Sequence, residues 1–532
     1  MQETGQAPAN LGIDNWQCSA NMSAYLSNRR ALAQAAEFFY DIKPSKAMRS
    51  WMKGKYWEDA IAAGKAQELL DYAKEDAHLC AKLWIDHSDK WPQWERDVAR
   101  VTIDSGKKGV RVNTELLYGY IEACSQSIFE CQKAIPWVAD GEKPTSPKAM
   151  ALECRKVGIE CAPVKDDDEE GYDEWERKYA PLYPWIGAVA SLRSMTKVAK
   201  TLETMKLRLR DDDSIESSLK YFAAHTGRWG GEGGINFQNF RKEPLDCCGT
   251  PVDVRRLFIP RPGKKMIVCD LSQIEPRVLA WVTGNQPLLA LLAGGMSPYE
   301  AFARTAMGWT GGDLKEAGKT DPAAKDLYQL AKIQILGLGY GCGWKKFITI
   351  AAGYGVTLDE ARSRELVDAF RSGNPLIAGE DGIWNTLGGA FKRSRKDGVF
   401  EVGLPSGRKL TYRNVKDEVR LRTNQATGKV ENEWVTTAEV LRKDRIQRVS
   451  LYGGLLTENL IQAIARDIFA THILELNKQG LPPLFTVHDE AVLEVEPDVT
   501  PRDIEIIMSK TPEWIPGCPV GAEAVEVPYY QK

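Results

Sequence analysis

Apolar residues recur along this chain at two periods, and the change from one to the other divides it. Residues 20–95 read as short helices. From Ala31 to Tyr40 and from Trp57 to Tyr72, alanine and aromatic residues repeat at helical spacing. Residues 96–220 keep a helical pattern with heavy charge. Within them the acidic run from Lys165 to Glu170 reads as a solvated loop. Residues 191–210 read as a basic helix with Arg193, Lys197, Lys200 and Lys206 towards one side; alone, this is equally a solvated face or a binding face. From about residue 225, strand-like runs alternate with helices. Residues 265–270, KMIVCD, form a β-prone stretch ending in an acid. Residues 399–415 read as a hairpin around Ser406 and Gly407, and 484–495 as a second with His488 and Asp489 in its tight turn. Long helical stretches are expected over about 286–395 and 447–478. The pattern predicts a mixed α/β (α+β) fold.

Composition narrows this only a little. At 532 residues, two to four domains are expected. The 43% hydrophobic and 27% charged content is that of a globular chain with a large core. A net charge of −3 excludes a uniformly basic coat but leaves room for local positive potential in a cleft. Eleven cysteines without CxxC pairs point to a reducing compartment and no structural zinc. No apolar run approaches the ~18–20 residues of a membrane span. The opening residues, MQETGQAPANLGIDNW, lack the regions of a secretion signal, so the cytoplasm is expected and no membrane partner.

The strongest chemical signal is a pair of distant acids in similar settings: Asp270 closes one strand, and Asp489, followed by Glu490, sits in a hairpin turn. Two carboxylates facing each other repel unless a proton or cations lie between them. Hard oxygen ligands suit Mg²⁺, and two metals about 3.5–4 Å apart are the usual device for in-line phosphoryl transfer. Spacing alone equally allows both acids to be turn and cap residues. Ser272 to Glu275 matches the S-x-x-E capping box, so a helix is expected to begin near Gln273, with Pro276 in its first turn. Residues 336–343, LGLGYGCG, fit neither GxGxxG nor a P-loop. Composition leaves that segment open between flexible helix and loop, although Lys332, Leu336 and Tyr340 are spaced along one helical face.

Taken together, the motifs resemble those of family A (DNA polymerase I type) DNA polymerases, in the style of phage members. CDLSQIEPR (269–277) resembles motif A, AKIQILGLGYG (331–341) motif B and VHDE (487–490) motif C, in the family's order. HTGRWGGEGGINFQNF (225–240) resembles the segment that precedes motif A; PSGR (405–408) and ENLIQAIARD (458–467) resemble phage segments. The resemblance covers about residues 100–500. It implies a right-hand polymerase: thumb 96–224, palm 225–285 and 396–532 with an antiparallel sheet, fingers 286–395, and a helical remnant over 1–95. Asp270 and Asp489, with Glu490, would hold two Mg²⁺ ions, for which Mn²⁺ could substitute. Gln273, Glu275, Lys332, Leu336 and Tyr340 would form the nucleotide site, with Glu275 as a gate against ribose, Lys332 on the phosphates and Tyr340 near the template base. Lys197, Lys200, Arg228, Gln238, Asn239, Gln462 and His488 would contact primer–template DNA. Catalysis would rest on Asp270, Asp489 and Lys332.

Three departures qualify the resemblance. Tyr328 stands where motif B has an arginine, leaving Lys325 one turn earlier, or an arginine elsewhere, to compensate. Leu336 stands where an aromatic is usual, so sugar discrimination does not carry over from that position. DYAKEDAHLCAKL (71–83) resembles the third motif of the proofreading exonuclease, with Tyr72 and Asp76 in Y-x-x-x-D spacing, and WQCSA from Trp16 resembles the segment upstream; the two earlier motifs are not found. Proofreading by this chain alone is not expected, and a separate exonuclease subunit or processivity factor is an expected partner, beside primer–template DNA and dNTPs. The implied function is template-directed DNA synthesis for phage replication in a host cytoplasm. The alternatives are a single-subunit RNA polymerase and a non-catalytic DNA-binding remnant.

Overall fold

A computed structural model describes residues 17–165, 168–423 and 430–531. The segment before Gln17, including Trp16, and Asp166 and Asp167 of the acidic run lie outside the described residues.

The sheet that matters for the site has four antiparallel strands in the order Pro483–Val487, Glu490–Val495, Lys265–Leu271, Ala522–Val527. In Pro483–Val487, Glu490–Val495 and Lys265–Leu271 the buried run is nearly unbroken because both faces are covered, while Ala522–Val527 is a partly exposed edge strand. Period two sorts the side chains. Ile267, Cys269 and Leu271 join one core with Ile464 and Ile468 of the long Gly453–Lys478 helix. Met266 and Val268 join a second core with Phe237, Phe258 and Phe485.

A second antiparallel sheet runs Arg445–Ser450, Val430–Arg442, Lys409–Thr423, Val399–Gly403. The hairpin expected around Ser406 and Gly407 forms, and its second strand continues to Thr423. The helix expected from 447 does not start there. Residues 447–450 finish an edge strand rich in β-branched and long polar residues, and the helix begins at Gly453.

Apart from the short strand Val110–Val112, helices and their connections make up residues 19–207. Leu32–Tyr40 forms as expected, while the stretch from Trp57 breaks at Gly64 (φ 65°) into Trp57–Ala62 and Ala66–His87. Thr114–Lys133 and Pro184–Leu207 pack along one another. A third core, around Trp137, Tyr172, Trp175 and Trp185, closes their far end. The acidic run is not simply a loop: the Asp168 carboxylate accepts from Gly171 N at 2.9 Å and caps the helix Glu169–Tyr179. The basic helix is real, but its row of charges is broken. Arg193 turns inward to the Tyr172 hydroxyl (2.6 Å), and Lys206 pairs with Glu203, leaving Lys197 and Lys200 exposed.

The N-terminal helices are tied to the rest by a buried ionic network. Glu95 binds Arg466 through both oxygens (2.5 and 2.9 Å) and accepts from the Tyr221 hydroxyl (2.6 Å). Arg408 binds Asp467 (3.0 Å), as does the Ser406 hydroxyl (2.5 Å). The two phage-like segments, PSGR and ENLIQAIARD, therefore meet inside the protein. No described helix is long and apolar enough to cross a membrane.

Candidate active site

Asp270 and Asp489 meet at one edge of the central sheet. Asp270 is the next-to-last residue of its strand and the register partner of Glu490 on one side and Glu523 on the other. Asp489 immediately precedes Glu490, and its carbonyl accepts from Leu271 N at 3.1 Å. Because the strands are in register, Asp270, Glu490 and Glu523 stand in one row on one face, with Asp489 at its end. The accumulated negative charge is felt nearby. The Cys269 thiol is held far above its usual range by burial first, then by Asp270, Glu505, Glu490 and Glu523. Glu523 was not foreseen; it lies in a C-terminal strand without a motif, and only pairing reveals it.

The turn carrying Asp489 is held by Gln238. Its amide nitrogen donates to Thr486 O (2.6 Å), and its oxygen accepts from His488 N (2.7 Å). His488 itself is in left-handed backbone (φ 56°), as a two-residue hairpin turn demands, and is exposed. Gln238 is buried with its amide committed to this turn. Glu490 is fully buried and accepts from the Tyr530 hydroxyl (2.9 Å). Among the described residues, no three His, Cys, Asp or Glu side chains converge on a metal-holding geometry. The donor set still fits Mg²⁺, which binds through one or two carboxylates and keeps its other positions for water and phosphate.

Beyond Asp270 the expected capping box does not form. The helix starts at Ile274, Gln273 occupies left-handed backbone (φ 45°), and no side chain caps the end. The Ser272 hydroxyl goes instead to Glu523 (3.3 Å), and Glu275 pairs with Arg228. A tertiary cation outbids a local cap. The two carbonyls that precede Arg228 are fixed: Arg408 donates to Thr226 O (3.0 Å) and Arg466 to Gly227 O (3.0 Å). A Cβ at Gly227 (φ 89°) would meet Phe222 at 2.9 Å. Gln273 lines a polar cleft behind the edge, with Lys315, Tyr328 and Glu523.

The glycine-rich segment is part helix and part turn. Pro322–Ile333 is α-helical, Gln334–Leu338 widens to a π-helical turn, and the chain then reverses at Gly341 (φ 80°). Lys332, Leu336 and Tyr340 are therefore not aligned on one regular helix: the wide turn shifts the register, and Tyr340 lies beyond it. A Cβ at Gly454 would lie 2.2 Å from Tyr340 O, so a glycine there lets the turn seat on the long helix. Burial, then the Glu275 and Glu458 carboxylates, raise the Tyr340 phenol well above its usual range. Glu458 is itself raised by burial and then by Glu275. Gln462 donates to Glu458 at 3.2 Å. Lys332 is lowered by burial and then by the charge of Lys242, a second cation facing the same space, and lies 5.0 Å from the Tyr354 ring. Tyr328 packs edge-on against Tyr299 (5.8 Å), and Lys325 is exposed. Tyr299, also unforeseen, is raised by burial and, in part, by Glu275 and Asp489, which places it between motifs A, B and C.

Lys197 and Asn239 line one cleft along the Pro184–Leu207 helix. Tyr72 and Asp76 stand one turn apart on Ala66–His87; burial, then a hydrogen bond from the phenol to Asp76, raises Tyr72.

A profile described as DNA polymerase family A matches residues 122–433, more than half of the chain. The chain belongs to DNA polymerase family A. It is 29% identical to the DNA polymerase of Bacillus phage SP02 over 379 residues, which is 63% of this chain and 55% of that protein. It is 25% identical to DNA polymerase I of Aquifex aeolicus over 52% of this chain and 44% of that one. The matched region thus spans about half the length of these relatives. Among solved structures, a polymerase domain of Pol1 from M. smegmatis in complex with DNA primer-template and dNTP superposes with a TM-score of 0.61 at 17% identity, covering 96% of this chain and 81% of that one. That agreement shows the fold of a polymerase domain: mixed helix and sheet, with antiparallel sheets. The profile match stops before Asp489.

Proposed function

We propose that this protein is a template-directed DNA polymerase that extends a primer 3′-hydroxyl with dNTPs, in the service of phage replication, with the thumb, palm and fingers divided as the motifs imply. The observation that carries this is the meeting of Asp270 and Asp489, 219 residues apart, at one acidic sheet edge. Bound there, two Mg²⁺ ions would activate the primer hydroxyl and neutralise the triphosphate. The chain's own residues position and exclude. Asp270 and Asp489 hold the ions. Lys332, whose ammonium is disfavoured by burial and then by the charge of Lys242, would be neutralised by a triphosphate. Glu275, fixed by Arg228, stands against a ribose 2′-hydroxyl. Lys197, Lys200 and Asn239 follow the duplex, which predicts salt-dependent binding.

The reading is tested by primer extension with Asp270→Ala and Asp489→Ala. Each is expected to lower extension roughly 10³-fold or more while primer–template binding persists. Unchanged extension removes the metal assignment; equal use of rNTPs by the unaltered protein removes the DNA assignment in favour of RNA synthesis. Proofreading by this chain alone is not expected, and degradation of a 3′-mismatched primer by the unaltered protein would contradict this.

A further inference from the structure

Four cysteines that play no part in the acidic edge gather around one helix and one hairpin. Cys124 and Cys131 lie two turns apart on Thr114–Lys133, and Cys247 and Cys248 lie where the strand Leu245–Cys247 turns into Thr250–Val252. The helix and the hairpin are packed together. The Sγ atoms of Cys124 and Cys247 are 3.7 Å apart, and both residues are buried. Cys248 is exposed at the tip of the turn, in left-handed backbone (φ 51°), and its Sγ accepts from the Ser127 hydroxyl at 3.0 Å. Cys131 is half-buried; burial and then the charges of Cys248 and Cys247 push its thiol up, so it faces the same two sulfurs.

Two thiols in van der Waals contact need only a small side-chain rotation to reach the ~2 Å of a disulfide. We propose that Cys124 and Cys247 form a reversible redox modification site, a disulfide that staples the helix to the hairpin, with exposed Cys248 as the point where the oxidant enters. The oxidant is a small-molecule disulfide of the glutathione class. The Cys248 thiolate attacks one of its sulfurs and expels one thiolate. Cys131 then attacks the Cys248 sulfur and expels the second. Exchange of Cys247 onto Cys131, and of Cys124 onto Cys247, carries the bond inward without further oxidant. In sum, two protein thiols and one small disulfide become one protein disulfide and two small thiols. Burial pushes the Cys124 thiol up to about 12, so the last exchange is slow at neutral pH.

The staple fixes both walls of one cleft. Its helix packs along Pro184–Leu207, which carries Lys197, and its hairpin ends at Val252, which lines the same cleft as Lys197 and Asn239. The inference does not depend on the polymerase reading.

The test is tryptic peptide mapping of the full chain, without reductant, after incubation in glutathione buffers of set ratio. Wild type is expected to yield a link between the peptide carrying Cys124 and that carrying Cys247, and to melt several degrees higher when oxidised. Cys124→Ala and Cys247→Ala are each expected to stop the exchange at a bond to Cys131, so that fragmentation of the linked peptides places Cys131 and not Cys124 in the bridge; should one fail to fold, the other gives the same answer. Because each peptide carries two cysteines, the double variant Cys131→Ser/Cys248→Ser isolates the inner pair, which is expected to link at least ten-fold more slowly. No link in wild type, a wild-type bridge that fragmentation places on Cys131 or Cys248 and not on Cys124 and Cys247, or no link at all in the double variant overturns the proposal.

Discussion

Gln238 illustrates how a single side chain acts through another. Its amide makes two hydrogen bonds to the backbone of the Asp489 turn, and one of them stabilises His488 in a left-handed conformation that costs a non-glycine residue about 1 kcal/mol or more. Gln238→Leu is expected to lower kcat about 10- to 100-fold and to raise the Mg²⁺ concentration needed for half-maximal rate, with little change in KM for dNTP. Gln238→Glu keeps the acceptor for His488 N and is expected to recover part of the loss. Equal metal requirements in both variants and wild type would assign Gln238 a purely structural place. Glu275 is a second case. Its ion pair with Arg228 replaces the local cap its sequence suggests, so Glu275→Ala is expected to raise the ratio of rNTP to dNTP incorporation, measured by single-nucleotide extension. An unchanged ratio would deny it the gate.

At the scale of elements, the long Gly453–Lys478 helix is where separate parts are joined. Its first turn receives the Tyr340 turn, and its middle carries Arg466 and Asp467 into the buried network with Glu95 and Arg408. Removing one partner of a fully buried pair leaves a charge without its counterion, at a cost of about 3–5 kcal/mol. Glu95→Ala is therefore expected to lower the denaturation midpoint in urea markedly, and to weaken extension indirectly through Thr226 and Gly227. A midpoint within error of wild type would show that the network adds little. Gly454→Ala places a Cβ against the Tyr340 backbone and is expected to displace that turn, lowering both extension and the melting temperature, and wild-type values for both would contradict this.

Across the whole molecule, two histidines are buried in neutral form. Burial lowers His225 to about 3, with the charges of Arg408, Arg413 and Arg442 adding to it. Burial lowers His472 to about 4, against a hydrogen bond to Lys510 O. Both folded values lie below the unfolded value of 6.5, so the unfolded chain binds more protons in that window. The stability they contribute is complete above about pH 6.5 and falls as the pH drops towards 4 and then 3, at about 1.4 kcal/mol per pH unit for each group. Glu458, raised in the fold, acts in the opposite sense, since its share is complete below 4.5 and is lost as the pH rises through its folded value. Two histidines outweigh one carboxyl, so the melting temperature is expected to fall steadily from pH 6.5 to pH 4. His472→Gln should flatten the curve, and a pH-independent melting temperature would contradict the account.

The sequence by itself determined what depends on near neighbours in the chain: the helix from Leu32, the helical character of the stretch from Trp57, the strand that carries Asp270, and the tight turn at His488 and Asp489. Periodicity and turn chemistry are local, so they survive without knowledge of the fold. Only the tertiary structure decided what depends on pairing between distant segments. It brought Glu523 beside Asp270, drew Glu275 from its cap to Arg228, turned Gln238 to the Asp489 turn, and buried Glu95 against Arg466. A charge placed by a partner hundreds of residues away leaves no period in the sequence, because strand register and a buried counterion are properties of the assembled core.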